Sequence, residues 1–237
     1  MCGSDAESCI IRARANISTP IGRARDVEHF APLPETRLEV ETAASSLGQQ
    51  WELLLGPEAS EPTLRATGLE TRQYVHFATH GVLGSQIPDV REPALVLSQR
   101  AESAADRFLT FTEVLELDLS ADLTVLSACN TGSGEGFAGE GTMGLGRAFL
   151  AAGSAAVVMS LWEVDSNATV ELMRIFYSAL ADGRSNEEAL LHARREVAEL
   201  EFQESAEAES RGIKTKARRG SIYRHPYYWS PFVLLRN

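Results

Sequence analysis

The chain has 237 residues, 44% apolar and 23% charged, with 22 basic against 33 acidic side chains for a formal net charge of −11. That length suffices for one sizeable α/β domain with short extra segments at its ends, and the composition is ordinary for a soluble globular protein. The acidic balance argues against a broad nucleic-acid surface, and no run approaches the ~18 apolar residues of a membrane span.

The start, MCGSDAESCIIRARA, lacks the basic and long apolar regions of a secretory signal. Three cysteines do not make a disulfide framework: Cys2 and Cys9 sit together near the N-terminus, and Cys129 stands alone. A Cys2–Cys9 pair stays open, but the pattern fits a reducing compartment, so a cytoplasmic protein is expected. No Cys/His spacing suggests zinc, and neither a metal nor a cofactor is expected.

In chain order, residues 1–34 show no sustained periodicity and end in APLP, so they read as a linker or an extension that wraps the domain. The domain proper is expected over 35–237. ETRLEVETAASSLG has a helical apolar face and stops at Gly48. WELLLG is a strand candidate, and EPTLRATGL opens a helix with Pro62 in its first turn. QYVHFATHG is a β-rich run ending in His-Gly, and EPALVLS is a further strand. LTFTEVLEL suits a short helix capped by Thr110, with Glu113 as its capping-box partner.

DLTVLSAC reads as a buried strand that runs into a Gly-rich loop. MGLGRAFLAAG reads as a helix and SAAVVMSLW as the next buried strand. SNATVELMRIFYSALADG is expected to start at a Ser cap and to end at Gly183, and a second helix opens at Ser185 with Glu188 three residues on. A charged loop is expected near 203–221, where Lys214, Lys216, Arg218 and Arg219 read as solvated charges. YYWSPFVLLRN closes as a strand whose Pro231 hints at a sheet edge. Apolar strands alternating with helices predict a mostly parallel central sheet of about six strands, flanked by helices on both faces.

In such folds the site lies at the carboxyl ends of the strands, which directs attention to ATHG and SACNTG. His80 follows one strand and Cys129 ends another. If the two strands are parallel neighbours they lie ~4.8 Å apart, with their ends on one edge of the sheet. A free thiol, with a pKa near ~8.5, is mostly protonated at neutral pH, and His80 can supply the base it needs. A glycine after each strand end lets the backbone turn and present N–H groups to an oxyanion.

Other residues have plainer readings. His76, four residues before His80, reads as a hydrogen-bonded sheet histidine, and His29, His192 and His225 as surface or structural. Gly139 to Gly144 spell G-x-G-x-x-G, but ten residues beyond the strand that ends at Cys129; they read as a mobile loop that permits close packing of the next helix. Glu140 in that stretch is either a structural hydrogen-bonding group or a substrate contact. Trp162 is a core or pocket-wall residue. Asp165 either reads a substrate side chain or caps the helix beginning near Ser166.

HFATHG, LTVLSACNTG, GEGTMGLGRAFLAAGSAAVVMSLWEVD and HPYYWSPFVL resemble the CHAT family of caspase-like peptidases from about Leu33 onward. The resemblance implies a caspase-like α/β fold, related to caspases and separases, and hydrolysis of peptide bonds by a Cys–His dyad. His80 would be the general base or acid and Cys129 the nucleophile, with the backbone N–H groups of Gly81 and Cys129 on the oxyanion. The substrate would be a protein or peptide. The repeat domain customary in the family is not in this sequence, so a regulatory protein or repeat domain is an expected partner. The rivals are an inactive caspase-like binding module and another thiol acyl-transfer enzyme. Glu135, Glu140, Glu163 and Asp165 near the cleft suggest cleavage after Lys or Arg.

Overall fold

The apolar runs at Trp51–Leu55 (β2), Arg72–Phe77 (β3), Leu123–Leu126 (β7), Ala156–Ser160 (β9) and Phe232–Arg236 (β10) are strands in the computed structural model. It describes residues 7–12, 33, 35–48, 51–83, 90–98, 107–127, 129–130, 138–162, 165–200 and 222–236. With Glu7–Arg12 (β1) these runs make a six-stranded sheet of order β10-β9-β7-β3-β1-β2. All neighbours are parallel except β10, which runs antiparallel along β9 at the edge.

Side chains alternate between the two faces of this sheet, and both faces are buried. Val75, Phe77, Leu126, Val157 and Met159 pack on one side, and Leu123, Val125, Ala156 and Val158 on the other. The second side is covered by Glu35–Leu47 (α1), Ser166–Ala181 (α5) and Asn186–Glu199 (α6). The first is covered by Glu61–Ala66 (α2), Phe111–Leu115 (α3) and Ala138–Ala151 (α4). Phe149 of α4 meets Phe77 of β3 at 5.2 Å between ring centroids. Each fully buried side chain of this size contributes roughly 1.5–3 kcal/mol relative to an exposed one. The expected parallel sheet with helices on both faces is the architecture observed.

The helix boundaries follow local chemistry. α1 stops at Gly48, whose φ of 66° suits glycine. Thr110 caps α3 and Ser185 caps α6, each in a reciprocal bond with Glu113 or Glu188. After α4, Gly153 has a φ of 118°, and a Cβ there would lie 1.9 Å from the Leu119 carbonyl oxygen, so that turn admits glycine alone. The cap of α5 is Asp165, one of the two roles expected of it, and Ser166 is the first helical residue rather than the cap.

Three expectations meet a different chain. Residues 7–12, inside the expected 1–34 extension, form a strand paired on both sides, between β2 and β3. Its apolar core is only Cys9-Ile10-Ile11, too short a run to show periodicity. Helix α4 begins at Ala138, so the GEGTMG stretch is helical rather than part of the loop. Its glycines do permit close packing: a Cβ at Gly146 would sit 2.7 Å from Met159 Sδ and 2.8 Å from Leu235 Cδ1. Residues 203–221, with Lys214, Lys216, Arg218 and Arg219, lie outside the described residues.

The third difference bears on the site. β3 and β7 do not run on to the expected ends at His80 and Cys129. Each breaks for two residues and resumes as His80–Val82 (β4) and Cys129–Asn130 (β8). These join Ala94–Val96 (β5) and Phe108–Thr110 (β6) in a second, four-stranded sheet of order β6-β5-β4-β8. A small apolar cluster of Val82, Val90, Ala94, Val96 and Phe108 accompanies it. Among the described residues no helix is long and apolar enough to cross a membrane.

Candidate active site

The large sheet aligns the two strands that lead into the site. Phe77 of β3 is the register partner of Leu126 of β7, and the Ser127 amide donates to the Phe77 carbonyl at 2.9 Å, carrying that ladder to the break. His80 lies three residues after Phe77, and Cys129 three after Leu126. The equal breaks preserve the alignment: His80 pairs with Cys129, and Gly81 with Asn130, in parallel register. Neighbouring strands are about 4.8 Å apart. The two residues singled out from the sequence are thus brought side by side on the backbone, at the carboxyl edge of the parallel strands.

His80 is only 6% exposed. Its strand β4 is the inner strand on this side, flanked by β8 and by β5, where Gly81 pairs with Leu95 and Val82 with Ala94 in antiparallel register. The chain therefore does not turn sharply at Gly81, as the sequence suggested, but continues as a buried strand. The reason is pairing: β5 and β8 hold the segment extended from both sides, and that partnership is not written in the local sequence.

The other site candidates gather less closely. Trp162 and Asp165 follow β9, whose carboxyl end shares this edge because β9 is parallel to β7. Trp162 is half-buried and its Nε1–H donates to the Tyr227 carbonyl at 3.2 Å, tying the end of β9 to the turn before β10. The Asp165 carboxylate accepts from the Ala168 amide at 3.0 Å, the second of its two expected roles. It also accepts from the buried Tyr223 hydroxyl, whose pKa is pushed up to about 12 by burial first and then by Asp165, Tyr228 and Glu171. As a substrate reader it would have to share a carboxylate that already holds two donors. Glu140 lies in the first turn of α4. Glu135 and Glu163 lie outside the described residues.

His76 takes the plain role expected of it. It is fully buried on the α1/α5 side of β3, with Nε2 3.1 Å from Glu39 Oε1 and Nδ1 2.9 Å from the Tyr177 hydroxyl. Nε2–H donating to Glu39 and Tyr177 O–H donating to Nδ1 satisfies all three groups. Burial, then Glu39 and Tyr74, holds the Tyr177 pKa well above its ordinary value, which keeps that proton in place. The sequence reading missed Glu39 and Tyr177 as its partners. The available signal was a glutamate on the apolar face of an otherwise amphipathic helix.

A parallel sheet with helices on both faces, carrying a histidine and a cysteine in register at its carboxyl edge, defines the class of caspase-like cysteine peptidase folds. The CHAT domain model matches residues 6–237, and the chain belongs to that family, a family of caspase-like peptidases. The chain is 32% identical over 127 residues to tetratricopeptide repeat protein 28 of Mus musculus, and equally to that of Homo sapiens. That alignment covers 54% of this chain but 4% of each relative. Among solved structures, the Arg-specific cysteine proteinase gingipain R aligns with a TM-score of 0.43 at 12% identity, over 81% of this chain and 42% of that one. A pyridoxal kinase from Staphylococcus aureus aligns with a TM-score of 0.33 at 10% identity, over 85% and 91%.

Proposed function

We propose that the protein is a cysteine endopeptidase in which Cys129 is the nucleophile and His80 the general base and acid. The observation that carries this reading is the parallel register of His80 with Cys129, supported by membership of a caspase-like peptidase family. Cys129 Sγ attacks the scissile carbonyl carbon while its proton passes to His80. The C–N bond then breaks, and His80 returns the proton to the leaving amine. Water, deprotonated by His80, adds to the resulting thioester; the C–S bond breaks and the free thiol returns. The backbone N–H groups of Gly81 and Cys129 are the proposed donors to the oxyanion of both tetrahedral intermediates, which requires that substrate binding release them from the β4–β8 pairing.

The substrate is a protein or peptide, and Trp162 is proposed as an apolar wall of its subsite. Regulation by a repeat domain or partner protein is supported by the relatives, which are named as tetratricopeptide repeat proteins. The test is a proteome incubated with the protein, its new peptide termini mapped by mass spectrometry. Termini generated by the wild type, and lost on the order of 10⁴-fold in rate with Cys129→Ala and with His80→Ala, are expected. Cleavage that persists in either folded variant overturns the mechanism. Wild-type protein that enriches a partner without cutting it points to the binding module instead.

A further inference from the structure

The joint between β3 and β4 is Ala78-Thr79, so Thr79 is the residue immediately before His80, and it is only 1% exposed. Its hydroxyl donates to the Val96 carbonyl at 2.5 Å. Val96 ends β5, and continuing the antiparallel register of Gly81 with Leu95 by one step places Val96 across from His80. The hydroxyl therefore ties the joint to the β5 residue opposite the histidine, just where the chain leaves one sheet for the other. On the far side, the Ser127–Phe77 backbone bond fixes the other joint to the large sheet.

β4 is three residues long and its parallel partner β8 is two, so few ladder bonds determine how far His80 advances toward Cys129. A strand this short can slide or twist unless something anchors its start. A hydroxyl bonded to a buried carbonyl is such an anchor, because breaking it leaves the carbonyl unsatisfied with no water to replace it.

We propose that Thr79 is a positioning residue for the dyad: its hydrogen bond to the Val96 carbonyl sets the placement of His80 relative to Cys129. This rests on the dyad reading above, and the experiment separates the two. Alkylation of Cys129 by iodoacetamide, followed site by site with mass spectrometry across pH 5–9, reports thiol activation without any substrate.

Thr79→Val keeps the shape of the side chain and removes the hydroxyl, whereas Thr79→Ser keeps the hydroxyl. A displacement of order 1 Å at a catalytic group can cost up to about 10²-fold. Thr79→Val is expected to slow Cys129 alkylation at neutral pH about tenfold and to move its pH profile toward that of His80→Ala. It should lower kcat on a cleaved peptide by a similar factor with little change in KM. Thr79→Ser should restore both within about threefold.

If His80→Ala slows alkylation but Thr79→Val matches wild type, the positioning role is wrong and the dyad stands. If His80→Ala itself matches wild type, the dyad reading falls and this proposal with it. Should Thr79→Val fail to fold, Thr79→Ala, which cannot overpack, takes its place. Unfolding of both overturns the proposal, since the bond then holds the domain and not the histidine.

Discussion

The two sheets differ in what holds them. The six-stranded sheet is buried on both faces under six helices and owes its geometry to apolar packing on each side. The four-stranded sheet has strands of two or three residues and an apolar cluster of five side chains. The two histidines of one short run fall on opposite sides of this division. His76, in the large sheet, spends both nitrogens on Glu39 and Tyr177. His80, in the small one, stands in register with Cys129. The division separates scaffold from the proposed site: extensive burial provides the alignment, and a minimal sheet beyond it holds His80 and Cys129 in register.

The sharpest way to break that comparison is to exchange the consequences of losing each histidine. His80→Ala should remove activity on the order of 10⁴-fold while the unfolding midpoint stays within a few degrees of wild type. His76→Ala should instead destabilise the fold by about 3 kcal/mol or more, because Glu39 and Tyr177 are left buried without their common partner. His76→Phe, which keeps an aromatic ring against Tyr177, should recover packing but not the hydrogen bonds and so remain destabilised. Urea denaturation with an activity assay on the same samples decides the matter. A His76→Ala protein of wild-type stability contradicts the scaffold role.

A smaller effect is expected at the rim of the small sheet, where β6 ends at Thr110 and α3 begins. Thr110→Ala removes one half of the capping box and should cost about 1 kcal/mol. Catalysis should be unaffected, since Thr110 lies at the strand edge farthest from β8. A rate loss exceeding the loss of folded protein would show that the small sheet transmits strain across all four strands.

The most modest effect concerns alkaline pH. Tyr223 and Tyr177 both have pKa values above the ordinary 10.0, Tyr223 at about 12. The folded protein thus holds these phenol protons more tightly than the unfolded chain. This stabilisation is fully present below pH 10 and falls as the unfolded chain loses its protons, until Tyr223 itself titrates near pH 12. Stability should decline from pH 10 upward, and Tyr223→Phe should flatten part of that slope, read from denaturation midpoints at pH 9, 10 and 11. An unchanged slope would remove Tyr223 from the account.

Much of this molecule was legible in local sequence. The apolar runs at Trp51–Leu55 and Ala156–Ser160, the caps at Thr110 and Ser185 and the glycine stop at Gly48 depend on residues a few positions apart. The nearness of His80 and Cys129 was legible too, because strand ends in a parallel sheet share an edge by construction.

Less was legible wherever a partner lies far along the chain. The breaks after Phe77 and Leu126 left a faint mark, the small pairs Ala78-Thr79 and Ser127-Ala128 following apolar runs. That these breaks coincide, so that His80 meets Cys129, is a matter of register between strands some fifty residues apart. Strand β1 was hidden for the same reason: Cys9-Ile10-Ile11 becomes a strand only because β2 and β3 close on it from either side. Glu39 falls on the apolar face of α1, but which partners bury with it, a histidine and a tyrosine on two other elements, is decided by packing. Periodicity and capping are encoded within a turn or two of chain, whereas strand register, sheet membership and buried polar partners are settled by tertiary packing among segments that local sequence does not relate.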